Sequence, residues 1–112
     1  MSEITTHVLD VSIGRPAAGV PVTLEIEKAG NWKELARGAT DSDGRLRHLV
    51  APGTLVKGTY RLTFETRAYF KSREIEGFYP HIEIVFQVRD AKEHYHVPLL
   101  LSPFGYSTYR GS

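Results

Sequence analysis

Short stretches in which apolar and polar residues alternate recur along this chain, separated by clusters of glycine, proline, asparagine and aspartate. Alternation with period two marks a strand with one buried face. In residues 21–28, Val22, Leu24 and Ile26 alternate with Thr23, Glu25 and Glu27. In residues 81–88, Ile82, Ile84, Phe86 and Val88 are expected to face inward, and His81, Glu83, Val85 and Gln87 outward. Near the end, Tyr95, Val97, Leu99 and Leu101 form an apolar stripe, while His94 and His96 point to the opposite face. Further strands are expected over 4–11, 32–40, 45–49 and 59–66. Between them, Ala29-Gly30-Asn31, Asp41-Ser42-Asp43-Gly44 and Ala51-Pro52-Gly53 read as turns. Residues 67–75 break the rule: Ala68, Tyr69, Phe70 and Ile75 fit a short helix better. Beyond Ser102-Pro103 a last strand puts Tyr106 toward the core and Ser107 and Tyr109 on the other side. The pattern predicts an all-β sandwich of about eight strands with one short helix, forming a single domain over 1–112.

Composition narrows the function classes. A chain of 112 residues can bury one core without covalent staples. A net charge of +1 without a strong basic run argues against nucleic acid as the main partner. The absence of cysteine excludes disulfides and thiol catalysis. No long apolar run or leader pattern is seen, so neither a membrane span nor a signal peptide is expected, and the cytoplasm is the default location.

Chemistry concentrates in a few polar residues. His94 and His96 are two apart on a strand, which sets their Cα atoms about 6–7 Å apart on one face. His7 shares its face with Leu9 and Val11, and taken alone it reads as an ordinary half-exposed strand histidine. If the first and last strands are neighbours, His7 and His96 share one surface. Zinc held by His7, His94 and His96 is the lesser alternative to no metal at all, since no acidic or thiol ligand accompanies the set. Arg45, after a tight Asp-Gly turn, offers a fixed fork of donors for a planar, carbonyl-rich ligand, although a solvated turn cation is its usual fate. Arg37, Arg47, His48 and His81 are left on the surface.

Thr6-His7-Val8-Leu9-Asp10, Gly14-Arg15-Pro16-Ala17, Val20-Pro21-Val22, Asp43-Gly44-Arg45 and the closing Tyr109-Arg110-Gly111-Ser112 together resemble the transthyretin-like family, in its 5-hydroxyisourate hydrolase branch. The motifs run in the family's order from about residue 4 to residue 112. Phe104-Gly105 stands where the family more often has Tyr-Ser. The resemblance implies a homotetramer, two dimers packed face to face around a channel, with the small-molecule site facing it. The strand at 81–88 carries no internal proline or glycine and only Glu83 as a charge, so it is expected to join a second chain edge to edge.

The activity implied is hydrolysis of 5-hydroxyisourate, a planar purine oxidation product, to 2-oxo-4-hydroxy-4-carboxy-5-ureidoimidazoline. Without cysteine or a serine in a nucleophile-elbow setting, water is the expected nucleophile. His7 or His96 would be the general base, with His96 preferred, and Arg45 would anchor the substrate. By resemblance, Tyr109, Arg110, Gly111 and Ser112 close the site, Ser112 bringing a hydroxyl and the chain's terminal carboxylate, so that an extension past it should impair turnover. The same family includes the carrier transthyretin, which uses the channel without chemistry. Its branch lacks this histidine set and ending. A β-sandwich adhesion module is a third class, and it does not explain polar groups gathered on pocket-facing positions.

Overall fold

The computed structural model describes residues 3–112. Among them the chain forms β1 (Ile4–Asp10), β2 (Arg15–Pro16), β3 (Pro21–Lys28), β4 (Asn31–Ala39), β5 (Arg45–Leu46), β6 (Gly58–Phe64), α1 (Thr66–Ser72), β7 (Ile82–Val88), β8 (Tyr95–Ser102) and β9 (Gly105–Thr108). The all-β sandwich with one short helix is as the alternation predicts. The stretch expected as a strand over 45–49 is shorter, because Arg47 and His48 leave the sheet and His48 takes a left-handed backbone with φ 64°.

Two sheets pack face to face. One runs β4-β3-β6-β7 and is antiparallel throughout. The other runs β2-β1-β8-β9, with β5 also on β1. Its central pair, β1 and β8, is parallel. The inner faces supply the core. Ile4 and Val8 of β1, Val22 and Leu24 of β3, Leu62 and Phe64 of β6, and Leu99 and Leu101 of β8 are all buried. Burying such side chains is worth roughly 1.5–3 kcal/mol each before conformational entropy is charged against it.

Among the described residues, every buried side-chain nitrogen and oxygen has a hydrogen-bond partner. Asp10, fully buried at the end of β1, accepts from the Ser12 backbone and hydroxyl and, at 2.8 Å, from the Tyr69 phenol of α1. Burial and this carboxylate push the Tyr69 phenol up to about 12, so it remains a donor throughout the working range. Thr6 donates to the Val97 carbonyl at 2.6 Å and ties β1 to β8 across the ladder.

Tyr106 is a correction. It was expected in the core, yet it is 42% exposed. β9 is a four-residue edge strand, and Tyr106 lies at the sandwich rim, edge-on to Tyr79 at 5.2 Å between ring centroids. Among the described residues no helix is long and apolar enough to cross a membrane.

Candidate active site

The parallel ladder decides what stands on the outer face of β1 and β8. Its register sets Thr5 beside His96 and His7 beside Pro98. The inward residues of β1 are Ile4, Thr6, Val8 and Asp10, so Thr5, His7 and Leu9 face away from the core. On β8, Tyr95, Val97, Leu99 and Leu101 point in, which leaves His96 on the same outer face as Thr5.

A turn carries the guanidinium groups in from the side. The Asp41 carboxylate accepts the backbone N–H of Asp43 at 2.8 Å and of Arg45 at 3.0 Å. The bond from Arg45 is the main cause that holds Asp41 below the usual carboxylate range. Gly44 makes the tight approach possible: its φ is 76°, and a Cβ there would lie 2.4 Å from the Val8 carbonyl oxygen. The Gly44 carbonyl accepts the Val8 N–H at 2.7 Å, and β5 pairs His7 with Arg45. The turn is thus clipped to β1 beside the histidines.

The result is a polar cavity of about 220 Å³ lined by Glu3, Thr5, Thr6, Arg45, Arg47, His94, His96 and Ser112. Four segments distant in sequence meet there. The Thr5 hydroxyl lies 2.8 Å from His96 Nδ1 and 3.2 Å from His94 Nε2, and the two imidazoles stack with centroids 6.3 Å apart. His96 is held below the ordinary imidazole value, first by burial and then by the charges of His94, Arg45, His7 and Arg47. It is therefore neutral at neutral pH. His7 does not line the cavity; it pairs with Arg45 across β1 and β5, and its Nε2 lies 2.9 Å from the Asp43 carbonyl oxygen. A carbonyl only accepts, so this nitrogen carries a proton and donates.

The chain's last residues return to β8. Gly111 donates its N–H to the His96 carbonyl at 2.8 Å in an antiparallel bridge. A Cβ on Gly111 would lie 2.6 Å from His96 Cδ2, so only glycine lets this segment pack flat against the ring. Ser112 follows into the cavity wall.

Two of the expected site residues stand elsewhere. Tyr109 and Arg110 line a separate cavity of about 220 Å³ with Ile84, Phe86, Tyr95 and Val97. Arg110 bonds Glu93 at 2.9 Å and lies over the Tyr95 ring at 4.5 Å. β9 ends at Thr108, so strand alternation no longer governs where Tyr109 points. Four residues on the cavity wall went unread in the sequence: Glu3, Thr5, Thr6 and Arg47. Arg47, left on the surface, is a second guanidinium of the same wall, and its i+2 spacing from Arg45 was the available signal. Thr5 gave no signal of its own until the ladder set it against His96.

Among the described residues no group of three or more His, Cys, Asp or Glu side chains is disposed to hold a metal ion. His7, His94 and His96 direct ring nitrogens to a carbonyl and a shared hydroxyl rather than to one common point.

The model of the HIUase/Transthyretin family matches residues 4–111. This chain belongs to that family. As a member of the HIUase/Transthyretin family it is 48% identical to a probable 5-hydroxyisourate hydrolase of Caenorhabditis elegans over 111 residues, covering 99% of this chain and 82% of that protein. The solved structure of Klebsiella pneumoniae 5-hydroxyisourate hydrolase superposes with a TM-score of 0.88 at 40% identity, covering all of both chains. Sea bream transthyretin in complex with thyroxine superposes with a TM-score of 0.91 at 33% identity, covering 96% of this chain and 93% of that one. The fold is thus shared by enzyme and carrier members, and shape alone does not separate them.

Proposed function

We propose that this chain hydrolyses 5-hydroxyisourate to 2-oxo-4-hydroxy-4-carboxy-5-ureidoimidazoline, a step in urate breakdown. The observation that carries the reading is the gathering of His96, Arg45 and Ser112 around one polar cavity, with His7 paired to Arg45 across the adjoining strands. A carrier of an apolar ring compound would want an apolar wall at this position, and this wall is charged. Identities of 48% and 40% to two proteins named for this hydrolysis also support the enzyme.

The chemistry is acyl transfer to water. His96, neutral and on the cavity wall, takes a proton from water as the oxygen attacks the ring carbonyl carbon. Arg45, with Arg47 beside it, holds the substrate carbonyls and stabilises the oxyanion that forms. The C–N bond of the ring amide then breaks, the leaving nitrogen takes the proton from His96, and the new carboxylic acid, left on the opened ring, loses its own proton to solvent. General-base assistance of this kind is worth roughly 10²–10⁴ in rate. The scheme needs no metal, since imidazole and guanidinium supply both functions. Ser112 orients water or substrate from the rim. Tyr109 and Arg110 act from the neighbouring cavity, as support for the segment that carries Gly111 and Ser112.

The proposal includes a homotetramer of two edge-joined dimers. β7 and β9 are free edges, and between them lies the cavity that holds Tyr109, with Val85 56% exposed beside it. A cytoplasmic location is supported by a cysteine-free composition that a reducing compartment tolerates.

The test is the ultraviolet absorbance of freshly generated 5-hydroxyisourate, followed with and without protein. Wild type should accelerate its decay, and His96→Asn should lose at least about 10²-fold in kcat. Decay no faster with wild-type protein than without it refutes the assignment.

A further inference from the structure

Thr5 is 6% exposed and lies between two imidazoles at hydrogen-bonding distance from both. A hydroxyl has one proton to give and lone pairs to accept with. A neutral imidazole carries its proton on one nitrogen only. These two facts leave two fully paired arrangements of the trio. In one, His96 Nδ1–H donates to Thr5, and Thr5 donates to His94 Nε2. In the other, every donor is reversed, and His96 carries its proton on Nε2. The first leaves His96 Nε2 with a lone pair, and the second leaves it with none. The orientation of one hydroxyl therefore decides whether His96 can act as a base.

We infer that Thr5 is a positioning residue that holds His96 in its Nδ1–H tautomer, by accepting that proton and passing its own to His94 Nε2. The inference rests on the proposed hydrolysis for its catalytic meaning, and it concerns which nitrogen is basic. The surrounding charge favours this orientation. The charged groups on the cavity wall are Arg45, Arg47, Glu3 and the terminal carboxylate of Ser112, with His94 just before β8. At the His96 ring itself the charges that act are cationic, those of Arg45 and Arg47 among them. A lone pair is the negative end of a neutral imidazole, and these guanidinium charges stabilise it on the nitrogen turned away from Thr5. The shorter of the two contacts, 2.8 Å against 3.2 Å, is the one to His96. Thr5 is buried, so water cannot readily replace the hydroxyl if it is lost.

When His96 accepts a proton at Nε2, the imidazolium keeps its Nδ1–H on the Thr5 oxygen. The ring neither rotates nor exchanges partners during the step. Thr5 thus orients the base before the transfer and steadies the cation after it, without touching the substrate.

The readout is the proton position on His96 in isotope-labelled protein, from nitrogen–hydrogen correlation spectra at neutral pH, together with steady-state kinetics. Wild type and Thr5→Ser should carry the proton on Nδ1. Thr5→Val removes the partner of Nδ1, and the proton should move to Nε2. His94→Phe removes the other acceptor while keeping the ring, so the Thr5 hydroxyl turns to His96 and drives the same change from a distance. This second variant is on an exposed residue and tests the idea even if Thr5→Val folds poorly. Thr5→Val should lower kcat by about 10²-fold with KM within about twofold, and Thr5→Ser should restore most of the turnover. A proton on Nε2 in wild type overturns the inference. So does an unchanged tautomer in both Thr5→Val and His94→Phe, whatever their activity. Absence of hydrolysis by wild type would instead remove the proposed function and leave the spectra to judge the tautomer alone.

Discussion

His96 sits below the ordinary imidazole value of 6.5 because it is partly buried among the charges of His94, Arg45, His7 and Arg47. A base must be unprotonated to act, so the acid limb of kcat/KM should fall below pH 6.5. A pH–rate profile checks this, and a limb at or above the free imidazole value contradicts it. The same displacement bears on stability. As pH falls, the unfolded chain binds this proton before the folded one does. The contribution is therefore fully present above the unfolded value and is lost as pH falls through the folded one. His96→Asn should flatten that part of the urea-midpoint dependence. Gly111→Ala tests the ring's placement: with a Cβ 2.6 Å from His96 Cδ2, kcat should drop by about tenfold or more while the far-ultraviolet circular dichroism stays as in wild type. At this scale His96, His94 and Arg45 could be named from the sequence, since each stands out by residue type against its strand or turn. Thr5 and Arg47 could not, because a threonine in a strand and an arginine in a loop are the ordinary occupants of such places. Only the register across the ladder distinguishes Thr5 from Thr6, one residue away, which faces the core instead.

The strands were legible because each has one wet face. β3 and β7 match the alternation read in residues 21–28 and 81–88 almost residue for residue. α1 was legible as a break in that period, although it begins at Thr66 and ends at Ser72, earlier than residues 67–75 suggested. β2 was not, since two residues hold no period; the adjacency of β1 and β8 was anticipated only as a condition for His7 and His96 to share a surface, and its parallel sense was not anticipated. Pairing between strands some ninety residues apart leaves no local trace. The turn that brings in Arg45 has the sharpest sequence requirement. Gly44→Ala would force a side chain into a left-handed conformation and against the Val8 carbonyl, and we expect a loss of about 2–4 kcal/mol in urea denaturation. Turnover should fall with it beyond the change in stability, since Asp43 and Arg45 move together with the turn.

For the molecule as a whole, what matters is which sheet edge meets another copy, since among the described residues β2, β4, β7 and β9 end the two sheets. β7 and β9 flank one cavity, and Val85 and Tyr109 stand 56% exposed along it. Size-exclusion chromatography with light scattering should give four copies per particle at micromolar protein, and Val85→Lys should split it toward smaller species. A monomer mass for wild type would contradict the edge pairing. The parallel ladder has a consequence of another kind. During translation β1 leaves the ribosome on the order of ten seconds before β8. Until β8 arrives, β1 has only the two short strands β2 and β5 to pair with. Catalysis therefore cannot appear in any nascent or half-folded form, and recovery of turnover after dilution from denaturant would time the closing of the last long-range contact.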